Sequence, residues 1–406
     1  MDSKKKELLT STGQSLEKIS HLLGINLVSY MGRLYSLALV VLFFFFSQMS
    51  WRNICVGYCE QHLVRKFMIT LQYAMNILLV LTIVGTSVFR PKQFAFPRRE
   101  MIIVDSILES YGARFSDKDI FLAKHLQDAG TATAILFVVM KYTYDIIINN
   151  SFQSICYSVR SWYPIVCLLI MDGLFTHCIN DMYLRFRELN KIAIQHSKEK
   201  ALSVSCVDLA TNSNTFVECN TALITKIRAI RYIHHELYVL ATKINTNFGF
   251  HLLIASAICL NGIILLLHDL YYYMKANSGN TEILIFHVTF VSCFALRSLY
   301  ISYLCQRSRN EFRRMAIILH DVFLEYKSLR AEMIHFSLQL VHEDLTFTAF
   351  GLYEINIPLM CSIAGAVITY LVMVIQLDIT AKFGITNNNT TVTWSYTEDN
   401  STLTSF

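Results

Sequence analysis

The chain has 406 residues, 54% hydrophobic and 16% charged, with four prolines, fourteen glycines and a formal net charge of +5. A soluble globular domain carries roughly 25% charged residues, so this balance excludes that class, and the hydrophobic content excludes a disordered or collagen-like chain. Lipid is the expected solvent, and one integral unit the expected organisation.

In chain order, a polar segment over 1–33 precedes apolar stretches near 34–50, 68–88, 131–150, 161–180, 247–270, 282–304 and 355–377. Crossing a hydrocarbon core takes roughly 20 residues, so these predict seven transmembrane helices in an all-α protein. The first has no small-residue cleavage site and reads as a retained span. The expected partition is 1–33 cytoplasmic, 34–304 holding spans one to six, 305–351 a cytoplasmic helical region, 352–378 the seventh span and 379–406 an external tail. In the loops, Ile227, Ile230, Ile233, Leu237 and Leu240, and likewise Phe312, Met315, Leu319, Val322, Phe323, Tyr326 and Leu329, recur at three and four. These stripes predict helices that continue the spans and pack on neighbours. The polar stretch 197–220 reads as a flexible loop.

Orientation follows from Lys and Arg between the spans. With the N-terminus inside, 27 of the 35 fall on the inner side and six outside, Lys141 and Arg297 lying within spans. The sequons at Asn149, Asn388, Asn389 and Asn400 all fall on the outer side, where glycosylation is possible. The prediction is N-terminus in and C-terminus out, the reverse of a G-protein-coupled receptor.

Eleven scattered cysteines with no CxxC argue against a metal centre or disulfide scaffold, although the external Cys55, Cys59 and Cys156 could pair. The basic residues form no stripe for nucleic acid. No Gly-rich phosphate loop, HExxH or GxSxG is present, so neither an enzyme nor a cofactor is expected. A surface role is expected for His234 and His235. Lys141 and Asp145, four apart, should neutralise each other, and Asp172 and Arg297 should form a structural ion pair within the membrane.

The last span is the most informative. Ser362, Gly365 or Ala366, Thr369, Val372 or Met373, and Gln376 fall along one helical face that is small or polar. A Gln amide in lipid needs a partner or water, so this face should meet another helix or an aqueous path. In a symmetric oligomer Gln376 would form a ring of amides and Asp378 a ring of carboxylates, as at a cation-selective pore mouth.

Thr369-Tyr370, five apolar residues and Gln376-Leu377 resemble the C-terminal signature of insect gustatory receptors, Thr-Tyr, five hydrophobics, Gln-Phe. The approach through Thr346–Gly351, Tyr353–Met360 and Ser362–Thr369 is also similar. Leu377 stands where the family usually has Phe, and Leu371 replaces the Glu common in the sweet-sugar branch. The resemblance implies a tetrameric ligand-gated channel for cations such as Na, K and Ca, related to insect odorant receptors, in the plasma membrane of sensory neurons. It implies a homotetramer or a heteromer with other gustatory receptors, in contact with membrane lipid. A small-molecule tastant of bitter or plant origin is the expected ligand, with a fructose-type sugar as the alternative. It makes Gln376 and Leu377 gate candidates, with Thr369 and Met373 deeper on the pore face. Polar and aromatic residues in the outer half of spans three to six nominate a pocket: Tyr142, Asp145, Trp162, Tyr163, His268, Asp269, Tyr272, Phe286, His287 and Phe290. A secondary transporter is the rival class, but neither an internal repeat nor matched broken helices are evident.

Overall fold

The computed structural model describes residues 14–25, 27, 29–57, 63–90, 97–113, 117–207, 213–275, 281–323 and 330–388, some helix ends in backbone only. The elements are α1 (Gln14–Leu22), α2 (Tyr30–Gly57), α3 (Leu63–Phe89), α4 (Arg98–Ser110), α5 (Asp117–Asn149), α6 (Phe152–Val207), α7 (Ser213–Lys275), α8 (Thr281–Phe323) and α9 (Arg330–His342). A two-residue antiparallel pair, β1 (Thr348–Ala349) and β2 (Tyr353–Glu354), precedes α10 (Ile357–Asn388). Among the described residues, seven helices are long and apolar enough to cross a membrane: α2, α3, α5, α6, α7, α8 and α10.

Helix α6 is the axis of the bundle. From Val166 to Ala193 almost every side chain is buried, because α2, α5, α7 and α8 all pack around it. A helix sheathed on all sides is apolar all round, as Cys167, Leu168, Ile170, Met171, Phe175 and Ile179 show. Several of its buried polar residues carry partners. Arg185 donates from Nε and Nη2 to both carboxylate oxygens of Asp105 at 2.8 and 2.7 Å, which ties α4 to α6. His177 Nε2 lies 2.8 Å from Asp128 of α5.

At 56 and 63 residues, α6 and α7 are about 84 and 95 Å long at 1.5 Å per residue, far beyond a 30 Å hydrocarbon core. The predicted stripes are their packed faces: Ile227, Ile230, Ile233, Leu237 and Leu240 on α7, and Phe312, Met315 and Leu319 on α8, are buried. Val322 and Phe323 lie on the backbone-only end of α8, and Tyr326 and Leu329 lie outside the described residues.

Two expectations are corrected. The stretch 197–220 is helical through Val207 and again from Ser213, because propagating an established helix adds one hydrogen bond per residue without a new nucleus. His234 is not a surface residue but fully buried, its ring 4.5 Å from Phe312 and within 6 Å of Phe186 and Phe336. Its position one turn from Ile230 and Leu237 puts it on the packed stripe. His235 lies one step off that stripe, half exposed, with Nδ1 2.5 Å from Glu343 Oε1. Burial opposes the charge on Glu343, but His234, His235 and Gln339 facing it outweigh burial and hold its carboxyl below the ordinary range.

The β1–β2 hairpin fixes the approach to α10. Asn245 of α7 accepts from the Thr348 backbone N–H at 2.9 Å and donates to its hydroxyl at 3.2 Å. Gly249 lets the hairpin lie against α7: a Cβ there would sit 3.2 Å from the Phe350 nitrogen. Asn356 caps the first turn of α10, its Oδ1 accepting from Leu359 N at 3.0 Å, with Pro358 beside it where a missing N–H costs nothing.

Candidate functional site

Helix α10 packs through one face only. Val367 and Val374 are buried, and Ile363, Tyr370 and Leu371 pack with Cys259, Ile263 and Ile264 of α7. The opposite face, Ser362, Gly365, Ala366, Thr369, Val372, Met373 and Gln376, is exposed in the single subunit. The Thr369 hydroxyl bonds its own helix, donating to the Gly365 carbonyl at 2.9 Å, and Gly365 has open space where a Cβ would stand. This face is therefore small, lightly polar and exposed among the described residues. Leu377, Asp378 and Asn388 lie on the backbone-only end of α10, while Asn389 and Asn400 lie outside the described residues.

The ten proposed pocket residues fall in three places. The first is between α5 and α8. Lys141 Nζ sits 2.5 Å from Asp145 and 4.6 Å from the ring centres of both Tyr142 and Phe286, so the cation is neutralised and held between two aromatic faces. The Phe286 and Phe290 rings meet tilted at 4.6 Å, Phe290 approaches Phe137 at 5.4 Å, and His287 meets Phe286 edge-on. The second is on α7, where His268 lies 3.4 Å from Asp269 and its ring 4.7 Å from Tyr272. Asp269 and Tyr272 stand within electrostatic reach of Tyr370 on α10, whose buried hydroxyl has no hydrogen-bond partner among the described residues. The third faces the N-terminal segment: Tyr163 donates to the Leu23 carbonyl at 3.0 Å and packs on Phe43 at 5.5 Å, with Trp162 edge-on behind it. Tyr163 thus fastens α6 to the chain before α2 and lies apart from the α5–α8 group.

Asn149 ends α5, its side-chain amide donating to the Asp145 carbonyl. Cys156 is a buried free thiol, Cys55 is described in backbone only, and Cys59 lies outside the described residues.

Deeper in the bundle Arg297 of α8 pairs with Asp172 of α6, and His251 of α7 completes the group with Nε2 3.1 Å from the other carboxylate oxygen. Phe294 was not singled out from the sequence, although it continues the four-residue spacing of Phe286 and Phe290. Its ring lies 6.3 Å from that of Phe290, and it packs with the α7–α10 cluster. This phenylalanine ladder links the Lys141 group to the helix bearing the exposed face.

A family model described as 7tm chemosensory receptor matches residues 24–381. Gustatory receptor 28a of Drosophila melanogaster is 23% identical over 371 residues, covering 83% of this chain and 81% of that protein. Gustatory receptor 28b of the same insect is 28% identical over 189 residues, 44% of this chain; the match spans 39% of that relative's length. The structure of the insect olfactory receptor OR5 from Machilis hrabei superposes with a TM-score of 0.61 at 11% identity, over 90% of this chain and 97% of the other. A structure of that receptor in complex with eugenol superposes at 0.55.

Proposed function

The chain belongs to the 7tm chemosensory receptor family, and from that premise we propose that four copies assemble around α10 into a ligand-gated, non-selective cation channel. The protein is a multi-pass membrane receptor; its site of action is proposed to be the plasma membrane of sensory neurons. The N-terminus lies inside and the C-terminus outside, as the charge distribution and the shared sidedness of the sequons favour. The observation that carries the channel reading is the face of α10 from Ser362 to Gln376, exposed on a helix whose other face is packed. Around a four-fold axis this face lines an aqueous path, with Gln376 and Leu377 at its narrow outer end and Asp378 attracting cations beyond it.

The ligand binds between α5 and α8, against Tyr142, Phe286 and Phe290. Aromatic walls with one neutralised ion pair suit a small aromatic compound, whereas a sugar calls for many convergent hydrogen-bonding groups. A bitter or plant secondary compound therefore fits better than fructose, and the eugenol complex of OR5 is a precedent for an aromatic ligand in this fold. Ligand occupancy favours one packing of the phenylalanine ladder and so shifts α10 between closed and open positions.

Whole-cell recording tests this reading. The expected result is ligand-evoked cation current without added G protein, with conductance or selectivity altered when Gln376 is replaced by Ala, Asn or Glu. Unchanged currents across that series remove Gln376 from the pore, and saturable solute uptake without conductance favours a transporter.

A further inference from the structure

A cavity adjoins the aromatic group at Phe137 and Phe290 and runs toward the Lys124 end of α5. Helices α5 and α8 both pack on α6 but scarcely touch each other, and between them is a cleft of about 470 Å³ floored by α6. Its mouth is formed by Leu126, Leu296 and Tyr300, all exposed on membrane-crossing segments, so the cleft opens sideways into the bilayer. Its outer end is closed by the contact of Phe137 with Phe290.

The lining is mostly apolar, and two of its polar side chains are incompletely paired. Gln127 is 95% buried, yet among the described residues neither its Nε2 donor nor its Oε1 acceptor has a hydrogen-bond partner. Arg297, also in the lining, spends Nε on Asp172 while its buried Nη1 has no partner among the described residues. The hydroxyls of Thr131 and Thr176 are engaged with their own helices. Buried polar groups in lipid are costly unless paired.

We infer that this cleft binds a neutral, membrane-partitioned molecule with an apolar body and a terminal hydroxyl, the long-chain alcohol type, at a site that adjoins the aromatic pocket at Phe290 but has its polar end at Gln127. A hydroxyl is the smallest group that satisfies both ends of the Gln127 amide, donating to Oε1 and accepting from Nε2. The Arg297 guanidinium is the second donor within the lining. A carboxylate is disfavoured because Asp172 already supplies the negative charge that Arg297 takes. Gly130 keeps the cleft open: a Cβ there meets nothing within 4 Å. Glycine inside a helix is unfavourable relative to alanine, so its presence gives room without helping the helix.

The test is photolabelling of the full chain in phosphatidylcholine nanodiscs with a dodecanol analogue carrying a mid-chain diazirine, followed by peptide mapping. Saturable adducts are expected on 126–138 of α5 and 293–301 of α8, displaced by dodecanol and poorly by dodecane or laurate. Gln127→Leu should lower the saturable signal about tenfold, the effect of losing one buried hydrogen-bonded group. Gly130→Trp, which projects a bulky ring from the cleft lining, should lower it as well, and Leu42→Ala on the exposed face of α2 should leave it unchanged. Labelling spread over all lipid-facing helices without competition, or displacement as strong by dodecane as by dodecanol, overturns the assignment. Stronger displacement by laurate overturns the neutral ligand class. The readout is binding to purified protein, so it stands or falls apart from the channel reading; if one variant misfolds, the competition pattern on the unaltered chain still decides.

Discussion

Arg297→Met should be among the most damaging single changes in the bundle. Asp172 is 6% exposed and its carboxylate is held by Arg297 on one oxygen and His251 on the other. Removing the guanidinium leaves an uncompensated buried charge, which costs about 3–5 kcal/mol. Against a total stability of roughly 5–15 kcal/mol, this is a large share, worth about a thousandfold in the folded population. Asp172→Leu strands Arg297 and should cost a similar amount. The double variant carrying both changes removes the charges together, and replacing a buried pair by apolar groups of similar volume is often neutral or stabilising. The assay is fluorescence-detected size-exclusion chromatography of tagged, detergent-solubilised protein after heating. Each single variant should lose its monodisperse peak several degrees below the unaltered chain, and the double variant should recover most of that loss. Singles that melt with the parent, or a double that melts below both, would refute a coupled pair.

Four further outcomes follow from the geometry. Tyr370→Phe removes a buried hydroxyl that has no hydrogen-bond partner among the described residues, so it should keep or raise thermal stability, by up to about 1–3 kcal/mol, while shifting the ligand dose–response; a clear loss of stability counts against it. Phe286→Leu keeps an apolar wall but loses the tilted ring contact with Phe290, about 0.5–1.5 kcal/mol, so aromatic agonists should weaken roughly two- to tenfold and aliphatic ones scarcely at all. Glu343 is held below its ordinary carboxyl value of 4.5 in the folded chain, so the stability it confers is full above that value and is lost as pH falls below it. Melting temperatures followed from pH 6 down to 3 should therefore fall more for the parent than for Glu343→Gln below about pH 4.5; parallel profiles would show that the site is not linked to folding. Asn245→Ala unties β1 from α7 and should cost about 1–3 kcal/mol, measured as earlier proteolysis within 343–356.

The seven spans and the long inner helices were legible because their signals are local: apolar runs of membrane length, and stripes at three and four such as Ile227 to Leu240. The Lys141–Asp145 pair was readable for the same reason, being one turn apart. Asp172 and Arg297 could be matched only by depth, and the third member, His251, carries no signal in a single chain. The aromatic residues divided by a property that spacing does not encode, the direction in which each helix is rotated. Tyr163 turns toward Leu23 and Phe43, while Phe286 and Phe290 turn toward α5, although all three stand at comparable depth. The α5–α8 cleft was invisible for a related reason, since a cavity is set by two helices failing to meet. His234 was misread because adjacent histidines look alike until the phase of the buried stripe is applied to them.

The great length of α6 and α7 has a consequence for where such receptors can vary. Apolar burial is driven by water, and between helices immersed in hydrocarbon that drive is absent. The portions of these rods that outrun the bilayer are thus the part of the molecule where exclusion of water holds the architecture together. The membrane-embedded portion is left to weaker, shape-dependent attraction, which tolerates repacking. Cohesion resides on one side of the membrane and adaptability within it, so chemosensory surfaces can diverge without unmaking the foundation on which they stand.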